Sequence, residues 1–273
     1  MSDKWVEYVQ PFVVPAVRNL SDQQWAVLEP FFSSPLSRRD GRGRPWKDAR
    51  AVLDGVLYVL RTGWAWADLP DSYPPKSTCH DRLQLWIHTG VFEAALDTLA
   101  EALCDRSLLD LRECFIDGTF APAKRGGMGV GKTKKGKGSK IMAVVEAHGL
   151  PGAVTIASAN PHEVKLVEQT LNARFIDDLP ERLIGDNAYD SDVLDVGLAA
   201  QGIEVIAPHR SNRKHKTQDG RPLRRRKRRW KVERFFGWLQ AFRRVLIRWE
   251  VKAENYLGFV HLACVLILLR RTL

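Results

Sequence analysis

Three acidic residues stand where a carboxylate is costly unless it has a partner. Asp117 and Asp186 each follow a short apolar run, and Glu233 lies inside the strongly basic run 224–234. A carboxylate at the end of a buried strand needs an ion pair, hydrogen bonds or a metal to offset its lost hydration. Taken singly, each Asp has a second interpretation, because Asp readily caps a turn and a turn-forming residue follows each one.

Taken together, the three carboxylates form the ligand set of a two-metal site for phosphoryl transfer. In such a site one ion lowers the pKa of the attacking water or 3′-hydroxyl and the other stabilises the leaving oxygen, with the ions about 3.5–4 Å apart. Mg²⁺ is a hard cation that prefers carboxylate oxygen. We therefore expect two Mg²⁺ ions, for which Mn²⁺ could substitute, at Asp117, Asp186 and Glu233.

Positive charge is concentrated in two segments near these acids. The chain has 42 Lys and Arg against 32 Asp and Glu, a net charge of +10. Residues 124–140 contain no acid, and residues 209–229 contain only Asp219. Each run alone could be a solvated loop, but two of them beside the same carboxylates favour binding of nucleic acid over a ribosome-like or membrane-surface role.

We predict that basic side chains of these segments contact the DNA backbone. The predicted contacts are Lys132, Lys134, Lys135 and Lys137 in the first run, and Arg224, Arg225, Arg226 and Arg228 in the second. Upstream, Arg42 and Arg44 lie in a pattern similar to the core of an AT-hook, which enters the minor groove. A basic link between domains is the other interpretation, and we favour it because so short a pattern arises easily by chance.

One segment matches the phosphate-loop pattern G-x-x-x-x-G-K-T, over residues 126–133. That motif requires a helix to begin at its end, so that backbone N–H groups point at the phosphates. The residues that follow are rich in Gly and Lys and do not favour a helix. We therefore predict a flexible basic flap near Asp117 and no ATP binding.

The hydrophobic pattern divides the chain into a helical first part and a mixed second part. Helical spacing and caps predict helices over 21–32, 46–62, 77–89 and 91–103. From Cys114 the pattern predicts strands over 114–120, 140–147, 153–157, 183–186 and 203–207, and helices over 160–173, 191–201, 228–249 and 254–271. This predicts an extended arm (1–20), an all-α domain (21–110) and an α/β domain with a mixed sheet (111–273), so the whole chain is of the α+β or α/β class.

The all-α part is expected to bind DNA. Helix-turn-helix-like readout through Lys76, Arg82 and His88 is one possibility, and it requires these side chains to be exposed. The sequence does not indicate which helix would read the bases.

The cysteines and the N-terminus indicate a cytoplasmic protein. The four cysteines have no Cys-x-x-Cys spacing, which argues against a zinc finger and against a secreted disulfide scaffold. The N-terminal residues lack the apolar core of a signal peptide. The longest apolar run, 256–269, is shorter than the roughly 20 residues that a membrane span requires, so we predict a buried core helix and no membrane association.

The segments around the three carboxylates resemble the catalytic blocks of DDE transposases from bacterial insertion sequences. These segments are Phe115-Ile116-Asp117-Gly118-Thr119, Ile184-Gly185-Asp186-Asn187-Ala188-Tyr189-Asp190 and the run from Arg229 to Leu239. Upstream, Gly43-Arg44-Pro45 and the runs 53–63, 66–70 and 86–92 resemble the helical N-terminal domain of the same proteins. The resemblance covers nearly the whole chain from about residue 18.

This resemblance implies an RNase H-like catalytic domain in which Asp117, Asp186 and Glu233 hold the metal ions. It implies a transposase that binds terminal inverted repeats, hydrolyses phosphodiester bonds at the element ends and transfers the 3′-hydroxyl ends into target DNA. Because two ends must be joined together, a homodimer or larger assembly on DNA is expected, at the nucleoid. The alternative from another functional class is a DNA-binding regulator that has lost catalysis.

A related signature places a Tyr, an Arg, the Glu and a Lys around the helix of Glu233. Arg229 fits the Arg position, four residues before Glu233 and therefore on the same helix face. Arg226 stands at the Tyr position and Gln240 at the Lys position. By the resemblance, Arg229 contacts DNA, and Arg243 or Arg244, one turn beyond Gln240, could supply the missing positive charge.

Overall fold

The computed structural model describes residues 19–32, 45–214 and 222–273. The predicted extended arm falls almost wholly on residues 1–18, outside the described residues. Arg42 and Arg44 also lie outside them, so their predicted DNA contacts stay predictions.

The described elements up to residue 105 are helices: α1 (Asp22–Leu28), α2 (Ala49–Thr62), α3 (Lys76–His88) and α4 (Val91–Asp105), with a 3-10 turn at Trp66–Asp68. Ser21 begins α1 in a capping box with Gln24. Gly63 ends α2 with a φ of 70°, a left-handed conformation that favours glycine. The helix predicted over 21–32 ends early, at Leu28.

The second part contains a mixed sheet, as predicted, and it has six strands where the sequence predicted five. Its strands are β1 (Glu113–Pro122), β2 (Gly131–Thr133), β3 (Gly136–Val145), β4 (Pro151–Ser158), β5 (Arg182–Ile184) and β6 (Glu204–Ile206). The main order is β4-β3-β1-β5-β6, and β2 also pairs with β3. β1 is antiparallel to β3 and parallel to β5, and β5 is parallel to β6.

Five further helices pack around the sheet: α5 (Val167–Asn172), α6 (Asp192–Ala199), α7 (Trp230–Gln240), α8 (Arg243–Leu246) and α9 (Ala253–Thr272). The single helix predicted over 228–249 is wrong. Phe242 has extended backbone angles and a buried ring, which separates α7 from α8. After α8 the chain turns back to the sheet, where the Arg248 N–H donates to the Pro122 carbonyl over 2.9 Å.

The predicted flap around residues 126–133 ends in a β-hairpin, formed by β2 and β3. Glycine and lysine have a low propensity for strands. Gly136, where β3 begins directly after the tight turn, has a φ of 104°, a value that favours glycine. The segment that matches the phosphate-loop pattern therefore leads into a strand, where a phosphate loop would lead into a helix.

The helix predicted over 160–173 is also different. A 3-10 turn begins at Glu163 and α5 follows from Val167. The Asn160 side-chain amide donates to the Lys132 carbonyl over 3.1 Å, and no side chain caps the 3-10 turn.

Helices from both ends of the chain share one hydrophobic core. It includes buried residues of α2, α4, α7 and α9 together with Phe115 and Ile141 of the sheet. A second core under α5 and α6 contains Ile116 and Met142 from the other sheet face. The first core contains residues of both the N-terminal and the C-terminal helices, so it extends across the domain boundary predicted at residue 110. The division of the chain into domains at that point stays a prediction.

Helix α9 is long and apolar enough to cross a membrane by length and composition alone. Its residues from Phe259 to Leu269 are buried against the rest of the protein. We therefore interpret α9 as the core helix that the sequence predicted.

Candidate active site

Asp117 and Asp186 are placed side by side by the parallel pairing of β1 and β5. Phe115 of β1 lies opposite Ile184 of β5, and each aspartate follows two residues later on its own strand path. The carboxyl ends of neighbouring parallel strands meet at one edge of a sheet, where ligands commonly bind. Alternation along β1 directs Phe115 into the core under α7, so Asp117 lies on the same face.

Both aspartates also satisfy the turn interpretation. One carboxylate oxygen of Asp117 accepts from the Gly118 N–H over 2.8 Å. One oxygen of Asp186 accepts from the Ala188 N–H over 2.7 Å and caps a short 3-10 turn. These bonds use one oxygen of each side chain and fix its direction, so the capping and site interpretations are compatible.

Glu163 is a third acid at this place, and sequence reasoning missed it. Its carboxylate lies 3.3 Å from the Lys140 ammonium and accepts from the Tyr189 hydroxyl over 3.2 Å. A Cβ atom on Gly118 would lie 3.0 Å from the Glu163 carboxyl carbon, so the glycine next to Asp117 makes room for Glu163. No spacing rule in the sequence connects position 163 with positions 117 and 186.

Negative charge accumulates around Asp117. Burial raises the pKa of Asp117, the Arg229 charge lowers it, and the charges of Glu163 and Asp186 raise it further. Burial also raises the pKa of Tyr189, and Glu163 and Asp117 add to this shift. The three carboxylates therefore repel one another in a poorly hydrated place, an environment that a cation would relieve.

Helix α7 presents one face to β1. Arg229 at its start donates from Nη2 to Asp117 Oδ2 over 2.7 Å. Gln240 at its end donates from Nε2 to Thr119 Oγ1 over 2.9 Å. Glu233 lies four residues after Arg229 and seven before Gln240, hence on the same face. Its side chain is exposed and lines a shallow cavity that Arg229 also lines.

The donor chemistry fits a hard divalent cation, because the gathered side chains are carboxylates. The described residues nevertheless contain no group of three His, Cys, Asp or Glu that could hold a metal ion as they stand. The cationic Arg229 guanidinium instead lies against Asp117. Two of the predicted ligands are thus neighbours on the sheet, and the role of Glu233 as the third ligand stays a prediction.

Residues after β6 fix the turn that carries Asp186. The buried Asp190 carboxylate accepts from the Arg210 N–H over 2.8 Å and lies 2.9 Å from His209 Nδ1. The Arg210 guanidinium donates to the carbonyls of Asn187 and Ala188. His209 and Arg210, the first residues of the second basic run, therefore hold the turn after Asp186 in place. The charge pattern did not indicate this role.

The predicted DNA contacts fall into different environments. Exposed side chains are Lys132, Lys134, Lys135 and Lys137 on the β2–β3 hairpin, Arg224 and Arg226 before α7, and Arg243 in α8. Arg225 and Arg228 each contact the Glu113 carboxylate over 2.6 Å, although both keep part of their surface in solvent.

Two predictions of exposed cations are wrong. Arg244 is buried, pairs with Glu250 over 2.7 Å and donates to the Trp64 carbonyl over 3.0 Å, so it is not available to a DNA phosphate. Arg82 is only 2% exposed. In both cases the helix face that carries the arginine packs against another element, which a charge count does not detect.

Comparison with known proteins agrees with this arrangement. A family model of the transposase DDE domain matches residues 109–268, and a model of the IS4/5 transposase family matches residues 20–96. A Burkholderia cepacia protein named as a transposase for insertion sequence element IS402 is 33% identical over 138 residues, which cover 48% of this chain and 62% of the relative. A Brucella ovis protein named for element IS6501 is 30% identical over 136 residues, covering 48% and 98%.

A solved structure shows the same fold. The piggyBac transposase in a synaptic complex with hairpin DNA is similar with a TM-score of 0.53, over 91% of this chain and 75% of that chain, at 10% sequence identity. This likeness supports the RNase H-like fold that the sequence predicted. Because the DDE-domain match spans more than half of its residues, the chain belongs to the DDE transposases of bacterial insertion sequences.

Proposed function

We propose that this insertion-sequence transposase binds the terminal inverted repeats of its element, hydrolyses the phosphodiester bonds at the element ends and transfers the 3′-hydroxyl ends into target DNA. One observation carries the proposal. Asp117 and Asp186 come from neighbouring parallel strands, and Arg229, which helical spacing puts on the same face of α7 as Glu233, donates to Asp117.

Asp117, Asp186 and Glu233 are the proposed ligands of two Mg²⁺ ions, for which Mn²⁺ can substitute. The bound ions would lower the pKa of the attacking water or 3′-hydroxyl and offset charge on the leaving oxygen. Glu163 places its carboxylate beside Asp117, where Lys140 and Tyr189 hold its orientation. Arg229 neutralises Asp117 in this structure and can donate to a phosphate once a metal takes over that charge.

The exposed cations form the proposed binding surface for the DNA backbone. The hairpin lysines Lys132, Lys134, Lys135 and Lys137 and the arginines Arg224, Arg226 and Arg243 can contact phosphates without breaking a described ion pair. Arg225 and Arg228 would first release Glu113. We propose that the active form is a homodimer or larger assembly on DNA, at the nucleoid in the cytoplasm, and that it requires no ATP.

Cleavage of a duplex that carries the element end and its flanking DNA tests this proposal. We expect cleavage only with Mg²⁺ or Mn²⁺. We also expect a loss of at least about 1,000-fold in Asp117→Asn, Asp186→Asn and Glu233→Gln, because electrostatic stabilisation is usually the largest catalytic contribution. Glu168→Gln, an exposed acid on α5, is the matched control and should cleave normally.

The same assay separates the catalytic role from that of a DNA-binding regulator. A regulator would bind the end duplex and leave it intact with either metal. Normal cleavage by all three variants would instead show that the chemistry belongs to other residues.

A further inference from the structure

A second polar site lies in the helical first part of the chain, on α3. Residues 45–47 and α3 enclose a cavity of about 480 Å³ whose lining includes Trp46, Lys47, Thr78, Asp81 and Arg82. We call it the Trp46–Arg82 pocket. None of these residues takes part in the proposed catalytic site.

Arg82 in this pocket is buried without a hydrogen-bond partner. Its side chain is only 2% exposed, and its Nε, Nη1 and Nη2 atoms are all buried with no acceptor among the described residues. Buried polar groups in native proteins are nearly always satisfied, so an unsatisfied one calls for an explanation such as a missing ligand. Burial also lowers the pKa of Arg82, the direction expected for a cation without a counter-ion.

The other deeply buried arginines in the described part of the chain are satisfied. Arg244 pairs with Glu250 and donates to a carbonyl. Arg248 donates to the Ser139 hydroxyl and to carbonyls, including those of Met128 and Glu250. An arginine that only filled space would be expected to have acceptors of this kind, and Arg82 has none.

Two tryptophans leave only the edge of the guanidinium for a ligand. The Arg82 guanidinium carbon lies 4.3 Å from the ring centre of Trp46 and 5.8 Å from that of Trp86. Stacking on aromatic rings leaves the N–H groups in the guanidinium plane, where they match two oxygens of one phosphate group. We propose that the Trp46–Arg82 pocket binds a phosphate of the DNA backbone through Arg82, an inference that rests on the proposed DNA-binding function.

Trp46 lies over one face of the guanidinium in the pocket, and displacement of its indole would widen access to the N–H groups. Trp46 is half exposed and precedes the first residue of α2, so its displacement leaves that helix intact. Lys47 is exposed at the same entrance and adds positive charge. Asp81, also in the lining, is mostly exposed and lies 3.9 Å from His80, so it is poorly placed to neutralise Arg82.

Salt-dependent DNA binding by the full-length chain, measured without divalent metal, tests the proposal. A phosphate contact contributes about 0.9 to the slope of log K against log salt concentration. We expect Arg82→Met to reduce the slope by about that amount and to weaken binding to end and unrelated duplexes alike. Arg82→Lys, which keeps the charge and loses the two-pronged geometry, should recover part of the affinity. Arg271→Met, an exposed cation at the end of α9 outside the pocket and outside the predicted DNA contacts, is the control.

Thermal unfolding without DNA distinguishes a ligand site from a structural arginine. Replacing an uncompensated buried charge by methionine should leave Tm unchanged or raise it. A fall in Tm together with unchanged DNA binding would overturn the proposal. An equal loss of affinity in Arg271→Met would also overturn it, since the effect would then be general electrostatics. A loss confined to the terminal-repeat duplex would mean that Arg82 contacts a base, which contradicts the assigned phosphate.

The outcome is distinguishable from failure of the proposed function. Because the binding assay needs neither metal nor cleavage, the pocket can fail while the wild-type chain still cuts element ends. Conversely, a chain that never cleaves DNA would leave the Arg82 binding result interpretable. If Arg82→Met does not fold, the Arg82→Lys variant decides, because DNA affinity equal to that of the wild type would refute the pocket.

Discussion

Arg229 at the start of α7 donates a hydrogen bond to Asp117 in β1 over 2.7 Å, across 112 positions of sequence. This ion pair links the helix that carries Glu233 to the strand that carries the first aspartate. It also occupies the carboxylate that a metal ion would need. We therefore propose two roles for Arg229. Without metal it holds α7 against β1 through Asp117, and with metal bound it contacts a phosphate.

Arg229→Gln should reduce metal-dependent cleavage by about 10- to 100-fold. A hydrogen bond to a charged group is worth about 1.5–3 kcal/mol, and about 1.36 kcal/mol corresponds to tenfold in rate. Because Arg229 competes with cations for Asp117, the variant should bind Mn²⁺ at least as tightly as the wild type, measured by electron paramagnetic resonance. Arg112→Gln, which loses only an exposed pair with Asp110, is the control. Weaker Mn²⁺ binding in Arg229→Gln would contradict the competition.

Glu163→Gln should lower cleavage by about tenfold and leave DNA affinity unchanged. The substitution removes one charge beside Asp117 and replaces an acceptor of Lys140 by an amide donor, and second-sphere partners of this kind typically change activity by about 10- to 100-fold. Gel-shift binding and cleavage on the same duplex measure the two effects. Glu163→Asp, which keeps the charge on a shorter side chain, should recover part of the activity. Full activity of Glu163→Gln would exclude this acid from the site.

The strands that carry Asp117 and Asp186 could be predicted because their pattern is local. Apolar runs that end in Asp and a turn residue identified β1 and β5, and Glu233 stood out as an acid inside the basic run 224–234. Their adjacency follows from the parallel pairing of Phe115 and Ile184, which no local pattern encodes.

Other features depend on contacts between distant residues and could not be predicted. Glu163 lies inside the helix predicted over 160–173, where no local pattern singles it out, and the fold places it beside Gly118. Arg244 resembled an exposed cation, but its burial follows from the break at Phe242, which directs α8 inward toward Trp64. The break has no Gly or Pro signal, since tertiary packing overrode helical propensity there.

Glu250→Gln should destabilise the fold strongly. Arg244 and Glu250 form a buried pair over 2.7 Å, and removing one partner leaves an uncompensated buried charge, at a cost of about 3–5 kcal/mol. For a chain of this size that corresponds to a fall in Tm of roughly 10 °C, measured by calorimetry. Glu204→Gln, which breaks an exposed pair with Arg182, should cost less than about 1 kcal/mol. Equal falls in the two variants would contradict the burial argument.

The buried thiols should resist modification in the native protein. Burial raises the pKa of Cys79 to about 11 and raises that of Cys114 as well. Because the thiolate is the reactive form, the labelling rate of Cys79 should keep rising with pH until about pH 11. The rate of a free thiol levels off near about pH 8.5. Timed reaction with a thiol reagent at pH 8 should label the partly exposed Cys104 first, and all four cysteines after unfolding. Rapid labelling of Cys79 in the native state would show that α3 opens.

Gln240→Lys should strengthen DNA binding at the end of α7. Gln240 now donates to Thr119 Oγ1, two residues beyond Asp117, so a lysine there would present its ammonium at the same sheet edge. One additional phosphate contact should increase the slope of log K against log salt concentration by about 0.9. Gln240→Met, which loses the Thr119 bond without adding charge, isolates the effect of the hydrogen bond. An unchanged slope in Gln240→Lys would mean that DNA does not pass this end of α7, and that the path of the backbone runs instead past Arg243 or the β2–β3 hairpin.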